Sequence, residues 1–163
     1  RARPVSENAV RPGPPPLRPF GLRLHHDGRF SHEGDPILHA KLRSHFDHSV
    51  AYLPEEGKFV VRLGHFRGEV EVEEAGFFVR TVDLERGEIA LSDGTREALE
   101  IGSLALSPID GALLCRVKRA LVAEGVLARF MPAAQAELWM AVEEREGRAI
   151  LRLAGREHAL PEL

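Results

Sequence analysis

The sequence predicts an α+β fold in which antiparallel strands curl into two small rolls, an N-terminal α+β roll and a C-terminal β-rich roll, packed with two main helices. Three observations predict it. From Lys58 onward apolar and polar residues alternate with a period of two, the pattern of half-buried strands. Turn pairs such as Asp27–Gly28 and Asp93–Gly94 break that alternation into short pieces. Only the stretches opened by Pro36 and Pro132 carry the residue spacing or the helix formers of a helix.

Residues 1–19 hold six of the eleven prolines and almost no apolar periodicity, so they predict an extended tail or linker. Leu22 and Leu24 alternate with Arg23 and His25, and Asp27–Gly28 turns the chain into Phe30, Ser31 and His32 as a hairpin. Asp35 before Pro36 has the chemistry of a helix start, a carboxylate to cap free amides and a proline in the first turn. The helix is predicted from Pro36 to about Ser49, with Leu38, Leu42 and Phe46 as its core stripe and Val50 nearby.

Phe59, Val61 and Leu63 begin the strands, followed by Val70 and Val72 between Glu69, Glu71 and Glu73. Phe77 to Leu84 and Glu88 to Leu91 read as two more, then Leu113 to Lys118 and Val126 to Phe130. Pro132 opens the second helix, which Gly147 is expected to stop, and Ala149 to Leu160 form a closing hairpin around Gly155. No internal repeat is visible. The expected division is a tail over 1–19, the first roll over 20–84 and the second over 85–163.

At 163 residues and 44% hydrophobic content the chain can bury a sizeable core. No apolar run approaches the roughly 20 residues that cross a bilayer, and no secretory signal is visible, so the expected compartment is the cytoplasm. A net charge of −3 gives the whole molecule no electrostatic reason to seek nucleic acid or anionic lipid. The single cysteine, Cys115, alternates with Leu113 and Val117 and reads as inert core.

Several short motifs recur in a known pattern. Asp27, Gly28 and Phe30 form a DG-x-F turn; Gly34, Pro36 and Ile37 form a G-x-P-I step; Leu42 and Phe46 follow in the helix. Phe59 to Val61, the VEVEEAGF run from Val70 to Phe77, Val117–Lys118 and Ala128–Arg129 continue the match. On these residues the chain, from about Phe20 to Leu160, resembles the bacterial DUF1285 family. Phe30 stands where that family has tryptophan, Glu74 where it has aspartate and Gly76 where it has proline; Leu91 to Thr95 only loosely echo its T-N-x-G-D stretch. The resemblance implies the two-roll architecture and carries no established activity or ligand.

Six of the eight histidines fall between His25 and His48. His45 and His48 have a spacing that can share an ion, but His39 lies about 120 degrees or more around the helix. A metal site would need His25, His26 or His32 to fold over His45 and His48. His39 is read instead as a partly buried imidazole bonded to a backbone carbonyl or turn, in contact with Asp35. Glu69, Glu71 and Glu73 read as an exposed face balanced by Arg62 and Arg80.

Arg116 and Lys118 share a strand face, with Arg119 and Arg129 expected nearby, which makes a cradle for a carboxylate or phosphate; ion pairs with Glu124 or Glu137 are the plainer alternative. No G-x-S-x-G, phosphate-binding loop or strand-linked G-x-G-x-x-G occurs. The resulting expectation is a non-enzymatic binding or regulatory module that engages a protein partner or a small acidic ligand at the junction of the rolls, with no cofactor, nucleic acid or membrane. Its candidate ligand-binding residues are Arg29, Asp35, Lys118 and Arg129. The alternative is a small metal-assisted hydrolase using the His25–His48 region, with His32, His45 and His48 as ligands. A third reading is a structural piece of a larger chain.

Overall fold

The computed structural model describes residues 18–163. The tail expected over residues 1–19 lies outside them except for its last two positions, which open strand β1 (Arg18–Leu24). A turn built on Asp27 and Gly28 follows: Asp27 Oδ1 accepts from the Arg29 amide at 3.1 Å, and Gly28 takes a φ of +90°. Strand β2 (Phe30–His32) returns antiparallel to β1, and β3 (Asp35–Pro36) pairs with β2.

That last pairing overturns the expected helix start. The pairing of Asp35 and Pro36 with β2, extended by an Ile37 N–H that donates to the Phe30 carbonyl at 2.9 Å, keeps the chain straight. Helix α1 therefore spans Ala40–Ser49, and its cap is His39, whose Nδ1 accepts from the Leu42 amide at 3.3 Å. His39 is exposed and caps with its ring. The predicted core stripe is halved: Phe46 and Val50 are buried, whereas Leu38 and Leu42 are 79% and 40% exposed.

Strands β4 (Ala51–Leu53), β5 (Lys58–Leu63) and β6 (Phe66–Val72) complete a six-stranded sheet of order β3-β2-β1-β6-β5-β4. The second sheet takes β7 (Phe77–Asp83), β8 (Glu88–Leu91), β9 (Arg96–Ala98), β10 (Ala105–Leu106), β11 (Leu113–Val117) and β12 (Val126–Phe130), in the order β10-β11-β12-β7-β8-β9. Because β7 belongs to this sheet, the change of roll falls between Val72 and Phe77, ahead of the expected division after Leu84.

The two sheets share one topology. Counted from its own first strand, each has the order third, second, first, sixth, fifth, fourth. In each the first and sixth strands are parallel at the centre, and the remaining neighbours are antiparallel. The antiparallel expectation thus holds for the hairpins and fails at each sheet's middle, where strands far apart in sequence meet. It is a repeat of architecture with no repeat of sequence. Helix α1 bridges the third and fourth strands of the first sheet, and a short 3-10 turn (Ile101–Ser103) does so in the second.

Helix α2 (Pro132–Met140) ends well before Gly147. Val142–Arg145 is instead β13, paired with β14 (Arg148–Leu153), and Gly147 turns the hairpin between them with a φ of +75°. β14 pairs onward with β15 (Arg156–Ala159) in a small third sheet, where Arg145 bridges to Glu157 at 2.7 Å across the strands.

Two cores result. Leu22, Leu24, Phe30, Phe46, Val50, Val61 and Val70 bury under α1, with the Phe30 and Phe46 rings 5.7 Å apart. The larger core gathers Phe77, Val79, Leu113, Cys115, Phe130, Leu138, Leu151 and others between the second sheet, α2 and the third sheet. Strand β7 serves both: Phe77 and Val79 point into the larger core, and Phe78 between them into the smaller. The two rolls are thereby joined along one strand. Among the described residues no helix is long and apolar enough to cross a membrane.

Candidate functional site

Where the two rolls meet, a cleft of about 820 Å³ opens. One wall is α1, which presents Ala40, Arg43, Ser44 and Asp47 at i, i+3, i+4 and i+7. Another is α2, which presents Pro132, Gln135, Ala136 and Trp139 at the same spacing. Phe78 and Arg80 of β7 and Arg129 and Phe130 of β12 line it between them. The β1–β2 turn (Asp27 to Arg29) and the loop Asp110 to Ala112 supply the remainder.

The cleft contains four arginines and three aspartates. Arg29 Nε donates to Asp27 Oδ2 at 2.6 Å. Arg80 Nη2 donates to Asp47 Oδ2, while its buried Nε has no acceptor. Arg129 donates through Nη1 to Asp110 Oδ1 at 3.0 Å and through Nη2 to Oδ2, and it also reaches Glu74 Oε1 at 3.4 Å. Among the described residues the Arg43 guanidinium has no acidic partner.

The carboxyls record these environments. The Arg129 fork, helped by the Ala112 amide, holds the Asp110 carboxyl at about 2. Asp47 moves the other way: burial pushes its carboxyl up, and the charge and hydrogen bond of Arg80 offset only part of that. The cleft therefore has a saturated end at Arg129 and an under-satisfied end at Arg43 and Arg80.

Of the residues singled out from sequence, Arg29 and Arg129 line the cleft and Asp35 and Lys118 do not. Asp35 sits in β3 opposite His32. Lys118 lies at the far end of β11, with a φ of +60°, and donates through Nζ to Asp93 Oδ2 at 2.6 Å and Thr95 Oγ1 at 2.8 Å, 5.0 Å from the centre of the Phe77 ring. Burial pushes the Asp93 carboxyl up, yet the Lys118 and Thr95 hydrogen bonds outweigh it and hold it below its ordinary value. The expected cradle does not assemble. Arg116 donates to the Gly125 carbonyl at 3.5 Å and Arg119 to Glu100 Oε1 at 2.9 Å, so each cation is taken up separately.

The other acidic and imidazole groups are also engaged locally. Glu71 pairs with Arg23 at 2.9 Å, Glu69 with Lys58 at 3.5 Å and Glu73 with His26 at 3.2 Å, in place of the expected Arg62 and Arg80. His45 Nε2 lies 3.1 Å from the Arg62 carbonyl and His48 Nδ1 3.0 Å from the Ser44 carbonyl. Among the described residues no group of three or more His, Cys, Asp or Glu converges as a metal site, and His32, His45 and His48 do not form one. Cys115 is fully buried, and burial, with the charges of Glu97 and Glu100, pushes its thiol up to about 12.

One arrangement has the order of a nucleophile, a base and an acid. Ser31 Oγ is 2.8 Å from His25 Nε2, and His25 Nδ1 is 3.7 Å from Glu73 Oε2. None of the three lines the cleft, and Ser31 is 7% exposed. The contact ties the β1–β2 hairpin together.

Sequence reading missed Arg43, Arg80 as a cleft residue, and Trp139. Arg43 and Asp47 carried one signal, an i, i+4 pair of opposite charge; the stripe of α2 carried little, because apart from Gln135 its cleft and core residues are alike apolar.

No protein-family model matches the chain, and no curated protein matches it. Solved structures do. A DUF1285 family protein from Silicibacter pomeroyi DSS-3 superposes with a TM-score of 0.59 at 20% identity, over 90% of this chain and 82% of that one. A DUF1285 family protein from Shewanella baltica OS155 gives 0.47 at 16% identity, over 75% of this chain and 91% of that one. The mixed α+β architecture, with its two six-stranded sheets and two helices, is similar in fold to the DUF1285 family protein from Silicibacter pomeroyi.

Proposed function

We propose that the protein is a ligand-binding module whose inter-roll cleft takes a small anionic molecule. The observation that carries this reading is the Arg43 guanidinium, which has no acidic partner among the described residues, on the wall of a concave, largely apolar space. The volume of about 820 Å³ falls in the range of small-molecule sites, which pair apolar walls with a few converging polar groups. Arg129 and Arg29, each already matched by an aspartate, shape the rim.

The module reading needs no chemical step, and the concavity favours a small ligand over a flat protein partner. A thermal-shift screen of small carboxylates and phosphates tests it. Stabilisation of the native chain is expected for some of them, lost in Arg43→Glu, because ligand that binds only the folded state raises the melting point. No shift with any anion at millimolar concentration would defeat the proposal.

A further inference from the structure

We infer that the cleft selects a monocarboxylate with an apolar body, an inference that rests on the ligand-binding reading above. Charge matching carries it. Three of the four cleft arginines are engaged in place, Arg29 by Asp27, Arg80 by Asp47 and Arg129 by both Asp110 and Glu74, which leaves Arg43 as the one cleft arginine without an acidic partner among the described residues. One carboxylate finds one unengaged guanidinium there. A second would face three aspartates with no cation of its own to meet it.

The donors suit a carboxylate. A guanidinium presents paired N–H groups that match two carboxylate oxygens. Arg43 stands one helical turn before Asp47 on α1, whose carboxylate is engaged by Arg80, so the Arg43 fork remains for the head group.

Most of the remaining wall is apolar, and the cleft is far larger than a bare anion. Met131, Pro132 and Ala136 are exposed along it and Trp139 is half-buried, over a floor of buried Phe78 and Phe130. Exposed apolar surface of this kind gains by being covered. An acid with an aliphatic or aromatic tail satisfies both ends, and inorganic phosphate satisfies only the charged one.

Trp139 is the single tryptophan of the chain, so its emission reports on the cleft directly. The test titrates the intact chain with octanoate, with suberate as the dicarboxylate of equal length, with octanol as the uncharged analogue, with 3-phenylpropionate and with inorganic phosphate. Octanoate or phenylpropionate should change the emission saturably. Suberate, octanol and phosphate should each bind at least about tenfold more weakly. Arg43→Gln, at an exposed helix position, should weaken octanoate by about tenfold or more without moving the unfolding midpoint. Asp47→Asn, which frees Arg80, should shift preference toward suberate.

Suberate or phosphate binding as tightly as octanoate overturns the selection of a monocarboxylate and leaves a ligand-binding cleft standing. Octanoate binding that is indifferent to Arg43→Gln overturns the assignment of the head-group site. Silence from every anion, in both emission and melting point, overturns the inference and the binding reading together.

Discussion

Arg129 and Asp110 form a two-pronged ion pair at the rim of the cleft, and the same guanidinium covers the carboxylate of Glu74 behind it. Glu74 has 6% side-chain exposure, and its other oxygen accepts from the Ser107 hydroxyl at 2.6 Å. Removing Arg129 therefore strands a buried charge. Arg129→Met should lower stability by about 2–4 kcal/mol, read by urea unfolding. Adding Glu74→Gln to that variant should recover a large part of the loss, and a double variant no more stable than the single would show that the buried charge is not the cause.

Acid should weaken the native state through Asp110 and Asp93. Each carboxyl is lower when folded than its ordinary value of 3.8, so each contributes stability that is complete above that value and is lost as the pH falls through the folded one. For Asp110 the window runs from about 3.8 down to about 2. Asp47 acts oppositely: its folded value is raised, so its contribution is present at low pH and is lost as the pH rises through that value. Lys118→Met should flatten the Asp93 part of a stability-against-pH curve, and an unchanged curve would remove the Lys118 pair from the account.

At the crossing between the sheets, Gly76 leaves no room for a side chain. A Cβ there would lie 2.2 Å from Phe59 Cε1 and 2.6 Å from Cδ1, and that ring is held between Tyr52 at 4.9 Å and Phe77 at 6.1 Å. Gly76→Ala is expected to cost about 1–3 kcal/mol by overpacking. Phe59→Leu in the same chain should relieve the crowding, measurable as a penalty for Gly76→Ala that is smaller than in the native background.

Cys115 offers a direct probe of global opening. Buried in β11 with its thiol pushed up to about 12, it should resist a thiol-directed reagent near pH 8 in the native state and react fully in denaturant. Rapid labelling of the native chain would contradict its place in the core.

The legible parts of this molecule were those with a local cause. Leu22 and Leu24, Val70, and the Val126–Phe130 strand show in the sequence because period two is written within a few residues, and the Asp27–Gly28 turn because its chemistry is self-contained. Errors came where a strand pairing won over a helix signal. Asp35 and Pro36 look like a helix start but pair with β2, which shifts α1 and exposes Leu38. Val142 looks like the last turn of α2, yet it pairs with Leu151. Of the site, Arg29 and Arg129 could be named in advance, but Arg43 and Trp139 could not.

By itself the sequence determined the α+β class, most of the hairpins and the inert cysteine, since periodicity, turn residues and apolar neighbours act over short range. Only the tertiary structure decided the central parallel pairs, the shared topology of the two sheets and the composition of the cleft. The physical reason is that these depend on which surfaces meet. Whether Arg129 is free or saturated is settled by Glu74 and Asp110, and Asp47, one turn from Arg43, is taken by Arg80 from strand β7; no local pattern records either outcome.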